Sequence, residues 1–127
     1  MPIVDYAALP EFAMREGISG KWLCSREQGA ASVSILSNTV QPGASAPLHR
    51  HDHEEVILVQ EGRLWVEFDG KRIEARPGQA VIIPPRGAHA WGNDGTEVAR
   101  VIFTWPMLDP FAPGVSAYLE GDPPAVR

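Results

Sequence analysis

The sequence predicts an all-β protein, a sandwich or barrel of short strands. Twelve glycines and twelve prolines in 127 residues interrupt the chain too often for long helices. Between them lie short runs rich in Val, Ile, Thr and aromatic residues. Turn signals recur about every eight to twelve residues, and roughly eight strands result.

The elements follow from local pattern. Residues 1–17 lack clear periodicity; a helical turn from Ala7 to Arg15 is conceivable, but Pro10 weakens it. Ile18–Cys24 is a short apolar segment with Trp22. Ser32–Val40 reads as a strand, ended by Gln41-Pro42-Gly43. Glu55–Gln60 is another, closed by Glu61-Gly62. In Arg63–Phe68, Leu64, Val66 and Phe68 share one face and Trp65 and Glu67 the other. Asp69-Gly70 signals a hairpin into Lys71–Arg76, and Pro77-Gly78 turns the chain again. Ala80–Ile83 is of buried type, His89–Trp91 is short, and Glu97–Trp105 is the longest strand candidate. Beyond Pro106 the tail is rich in Pro and Gly, with Val115–Glu120 a candidate short helix.

Composition bounds the function. The length suits a single domain, residues 1–127, with a core sufficient to fold without a staple. Net charge is -5, and the eleven Lys and Arg residues are scattered, so nucleic-acid binding is not expected. The longest aliphatic run, Val56-Ile57-Leu58-Val59, is far short of the ~20 residues of a membrane helix. A single cysteine, Cys24, allows no internal disulfide and reads as a small hydrophobe. No secretory signal pattern opens the chain, and the expected location is the cytoplasm.

The chemistry lies in the four histidines. His49, His51 and His53 stand within five residues, beside Glu54 and Glu55; His89 is the fourth. Imidazoles gathered with carboxylates suit a divalent metal, although a solvated polar loop has the same composition. On a straight strand His49, His51, His53 and Glu55 share one side, but residues 49–55 span roughly 20 Å at ~3.3 Å per residue. Metal–ligand bonds are only about 2.0–2.2 Å. Either the chain bends around Asp52-His53-Glu54, or only some of these residues bind.

Gly43, His49, His51, Glu55 and Gly62 are separated by five, one, three and six residues. Gly78, Pro84, Gly87-Ala88-His89 and Asn93 follow with five, two and three residues between them. These runs resemble the two motifs of the cupin superfamily, and the resemblance covers about residues 30–105. One position departs: Arg86 stands where the second motif usually has glycine. The resemblance implies an antiparallel double-stranded β-helix, a jelly-roll barrel with short irregular N- and C-terminal segments. It implies one divalent transition metal, Fe(II), Mn(II), Ni(II) or Zn(II), held by His49, His51, Glu55 and His89. A bend after His51 then brings Glu55 in from the next strand and leaves His53 outside.

Three imidazoles and one carboxylate leave a divalent ion near +1, with two positions of an octahedron free for water, dioxygen or a bidentate oxygen ligand. Up to three protons should compete with the metal. Trp91, Val101 and Phe103 are the candidate substrate-pocket residues, on strand parity. Tyr6, Arg63 and Arg100 are the remaining candidates for acid–base work. By resemblance, the expected activity is a metal-dependent dioxygenase acting on a small organic substrate. The alternatives are a non-oxidative isomerase, lyase or decarboxylase, and a non-enzymatic small-molecule-binding cupin. A homodimer is expected, because cupins of this size commonly pair and Phe12, Trp22 and Leu23 need cover.

Overall fold

A computed structural model describes all residues, 1–127. It contains eleven strands and two short 3-10 turns, at Tyr6–Ala8 and Arg26–Gln28. The strands are β1 (Phe12–Arg15), β2 (Ile18–Cys24), β3 (Ser34–Val40), β4 (Ser45–His51), β5 (Glu55–Glu61), β6 (Leu64–Phe68), β7 (Lys71–Ala75), β8 (Ala80–Ile83), β9 (His89–Gly92), β10 (Ala99–Trp105) and β11 (Ser116–Tyr118). One sheet runs β1-β2-β3-β10-β5-β8 and the other β11-β4-β9-β6-β7, every ladder antiparallel. This is the expected jelly roll. No helix is long and apolar enough to cross a membrane.

Alternation places the core between the sheets. In β10, Ala99, Val101, Phe103 and Trp105 are buried while Arg100, Ile102 and Thr104 point outward. One cluster of 16 buried apolar residues joins the two sheets. The β6–β7 hairpin turns at Asp69-Gly70 with φ of 51° and 73°, the positive pair of a type I′ turn. Gly62 is required twice over: its φ is 72°, and a Cβ there would meet the Val98 carbonyl oxygen at 2.7 Å.

The ends differ from the sequence expectation. The first segment forms strand β1 rather than a helical turn over Ala7–Arg15; β1 pairs Phe12 with Gly20 across β2. Val115–Glu120 is not a helix. Ser116, Ala117 and Tyr118 pair with His51, Arg50 and His49, so a free sheet edge overrides weak local propensity. Phe12 and Trp22 pack against the core of their own barrel.

Candidate metal centre

The site is built where β4, β5 and β9 approach one another. Pro47 has no N–H to give the ladder, and the β4–β9 register shifts between Ala46 and His49. That shift changes inward parity, so Ala46, His49 and His51 all face the interior. β4 ends at His51; Asp52, His53 and Glu54 form an exposed turn; β5 begins with buried Glu55. The bend thus removes the 20 Å problem. His53 lies in that turn, outside the group.

His49, His51, Glu55 and His89 are buried, at 3%, 3%, 1% and 0% exposure, and one ligand atom of each lies within 4.8 Å of the others. His51 Nε2 is 3.0 Å from Glu55 Oε2, and His89 Nε2 is 3.4 Å from Glu55 Oε1. Yet His51 Nε2, His89 Nε2 and Glu55 Oε1 have no hydrogen-bond partner. Three buried orphan atoms on neighbouring side chains are costly unless something joins them, and a divalent cation fits that donor set.

The far side of each ring fixes its tautomer. Nδ1–H of His49 donates to the Pro47 carbonyl at 2.7 Å, and that of His89 to the Gly87 carbonyl at 2.8 Å. His51 Nδ1–H donates to Ser116 Oγ at 2.5 Å, and the Ser116 hydroxyl donates in turn to the Pro110 carbonyl. All three Nε2 lone pairs therefore aim at the centre. The carboxylate is oriented too: Trp105 Nε1–H donates to Glu55 Oε2 at 2.9 Å. Arg86, the departure from the motif, holds φ at 61°, and its N–H donates to the His51 carbonyl at 2.8 Å. The position calls for the left-handed region, which explains the usual glycine; the Arg86 side chain is exposed. Asn93 ties the following loop, donating to the Val40 and Glu97 carbonyls and accepting from Gly95 N–H.

The charges are unequal. Burial pushes the His49 pKa down to about 3, helped by the neighbouring His89. Burial also acts to lower His89 and raise Glu55, but the attraction between the two at close approach wins, together with His51 at the carboxylate. Glu55 is held below the usual carboxylate range and His89 above the usual imidazole range.

A narrow cavity of about 20 Å³ lies against the group, room for one water. Trp91 and Phe103 line it; Val101 is fully buried in the core and does not. Further walls come from Trp105, Phe111 and Tyr118. Tyr118 stacks on His49 with centroids 4.9 Å apart, and burial raises its phenol to about 12, so it stays neutral. Tyr6, Arg63 and Arg100 lie elsewhere: Tyr6 is exposed, Arg63 pairs with Glu74, and Arg100 with Glu61. Sequence reasoning missed Ser116 and Tyr118 because the tail read as a helix. It gave Trp105 no role beyond ending a strand, since nothing in the sequence announces an indole N–H aimed at Glu55.

Fold and site together define a jelly-roll barrel with a buried group of three histidines and a glutamate suited to a metal ion. A sequence model described as the cupin domain matches residues 38–105, and the chain belongs to the cupin family. It is 35% identical over 126 residues to "Polyketide synthase CurC" of Streptomyces cyaneus, covering 98% of this chain and 80% of the relative. It is 31% identical to "Protein SchB" of Streptomyces halstedii over 112 residues, covering 87% and 79%. Among solved structures, the polyketide cyclase RemF from Streptomyces resistomycificus superposes with a TM-score of 0.79 at 20% identity, covering 96% of this chain and 87% of that one.

Proposed function

We propose that this cupin is a metal-dependent enzyme that closes a ring in an enolisable polyketide-type substrate. The observation that carries this reading is the aromatic-walled cavity directly against the buried His49–His51–Glu55–His89 group. Kinship with a protein named as a polyketide synthase over nearly the whole chain supports the substrate class. A bound divalent ion supplies polarisation of carbonyl oxygens. The carbon between two carbonyls loses a proton and bonds to a carbonyl carbon farther along the chain; one water then leaves. Trp91, Phe103 and Phe111 hold the flat product-like conformation by stacking. Neutral Tyr118 offers its O–H to a substrate oxygen.

A ring does not fit into 20 Å³, so a wall must move. The tail is a lightly held wall, since β11 is an edge strand with only three register pairs to β4. The route to the cavity therefore runs beneath residues 111–124.

A second reading is the dioxygenase expected from the sequence. It is favoured by 30% identity over 71 residues to the gentisate 1,2-dioxygenase of Ralstonia sp., of which the chain spans 20%. One experiment separates the two. Metal-loaded protein is incubated with an aryl triketone, with and without dioxygen, and products are weighed by mass spectrometry. Ring closure gives a product lighter by one water under anaerobic conditions. Products heavier by two oxygens, formed only in air, would replace the cyclase reading with the dioxygenase. Binding without turnover would favour the non-enzymatic alternative.

The reading includes a homodimer. The outer face of the six-stranded sheet presents Val56, Leu58, Ile82 and Ile102, with Ile82 65% exposed. A second copy covers that face. Light scattering at micromolar concentration should give twice the chain mass, and a monomeric mass refutes it.

A further inference from the structure

The cavity has a second set of polar atoms that the metal ligands do not explain. Asn38 on β3 lines it and is 2% exposed, and its Oδ1 is buried with no hydrogen-bond partner. Natural cores rarely leave an amide oxygen so. Arg15, at the end of β1, lines the same cavity. It is the only Lys or Arg there, and it enters none of the ion pairs of the chain. Its guanidinium carbon sits 5.7 Å from the Tyr118 ring centroid, over an aromatic face rather than a carboxylate.

Register places this pole away from the metal ligands. β10 pairs Trp105 with Ser34, Phe103 with Leu36 and Val101 with Asn38. Trp105 holds Glu55, so Asn38 lies four residues along the sheet from the metal end, about 13 Å at ~3.3 Å per residue. Leu36 and Phe103 line the stretch between. Gly20 is what lets Asn38 and Met14 sit where they do: a Cβ there would stand 2.6 Å from Met14 Sδ and 2.8 Å from Asn38 Oδ1.

We propose that Asn38 and Arg15 form a second binding pole, which takes a ligand end carrying a hydroxyl beside a carboxylate. Asn38 Oδ1 accepts the hydroxyl, and Arg15 faces the carboxylate. With the metal group at the other end and apolar walls between, the preferred ligand is flat, apolar in its middle and oxygenated at both ends. This deepens the cyclase reading and rests on that cavity being the substrate site. It makes Asn38 a specificity-determining residue, because an oxygen left unpaired discriminates strongly against ligands lacking the hydroxyl.

The test uses 3-hydroxybenzoate, which does not chelate, with benzoate as comparator, titrated calorimetrically into metal-free and metal-loaded protein. The wild type should bind 3-hydroxybenzoate in both forms, at least tenfold more tightly than benzoate. Asn38→Leu should erase that preference while the melting temperature stays level or rises, since the substitution removes an unpaired polar atom. Arg15→Met should weaken both probes tenfold or more. No binding by the wild type, or a preference unchanged in Asn38→Leu, overturns the proposal. Binding to the metal-free protein tests this pole alone, so failure of ring closure with this binding intact would sink only the cyclase reading.

Discussion

Replacing Trp105 with Phe isolates the one side-chain hydrogen bond that orients Glu55. The indole N–H to Glu55 Oε2 bond is 2.9 Å long, and both side chains are about 1% exposed. A hydrogen bond to a charged acceptor contributes about 1.5–3 kcal/mol. Trimming the indole to a phenyl leaves a void of roughly 40 Å³, which at ~24 cal/mol per Å³ costs about 1 kcal/mol more. Trp105→Phe should therefore destabilise the metal-free protein by about 2.5–4 kcal/mol in urea unfolding. Metal affinity should fall about 10–100-fold, as when an outer hydrogen bond to a metal ligand is lost; chelator competition measures it. Phe103→Leu is the control. It opens a comparable void in the same cavity but makes no hydrogen bond to Glu55, so it should lose stability with metal affinity nearly unchanged. If Trp105→Phe holds metal within threefold of wild type, the indole is mere packing and the orienting role is refuted.

His51→Ala or His89→Ala should abolish most metal occupancy by elemental analysis, whereas His53→Ala should keep it; equal loss in all three would remove the assignment. Arg86→Gly should raise the unfolding free energy by about 1 kcal/mol, because a left-handed residue with a Cβ costs ~1–2 kcal/mol and part is returned through unfolded-state entropy; a loss of stability would show that the Arg86 side chain contributes. Metal-free protein should be most stable near pH 6.5. His49, depressed to about 3, gives stability that is full above its unfolded value of ~6.5 and lost as pH falls below it, by up to ~1.4 kcal/mol per unit. His89, raised, gives stability that is full below that value and lost as pH climbs through its folded pKa. Melting curves from pH 5 to 9 check this, and stability rising steadily from 6.5 to 5 would contradict it. Metal binding should accordingly take no proton from His49 at neutral pH, while proton release from His89 should persist to a higher pH than a free imidazole would give, readable as proton release per metal in weak buffer across pH 6 to 9.

Legibility followed the physics of each element. Strands with a strict period of two, such as Leu64–Phe68 and Ala99–Trp105, announce themselves because one face is buried and the other is not. The grouping of His49, His51, Glu55 and His89 showed through the resemblance of the two motifs, since a motif records which residues a fixed backbone path brings together. What did not show depends on contacts distant in sequence. β11 exists because β4 offers an unpaired edge, and its own three residues carry no strand signal. Ser116 reaches His51 from 65 positions away, and Trp105 reaches Glu55 from 50.

The same distinction bears on what the site selects. The four residues on β4, β5 and β9 that could hold a metal ion set only what such a centre would polarise. Much of the cavity lining beside them comes from elsewhere: Met14 and Arg15 on β1, Asn38 on β3, Phe111 and Tyr118 on the tail. These elements lie at one side of the barrel, where β1 and β2 extend one sheet and β11 extends the other. Most of them fall outside the matched span of 38–105, so under the proposed function ligand preference should be changeable there with the metal group left in place. Exchanging the tail for that of another cupin should then alter ligand preference while metal affinity follows the contacts it carries to the histidines, Ser116 to His51 and Phe111 and Tyr118 against the His51 and His49 rings. Affinity falling no further than in a combined Ser116→Ala, Phe111→Ala and Tyr118→Ala variant would show the two functions to be separable. A loss as complete as in His51→Ala would show that the tail is part of the metal centre itself.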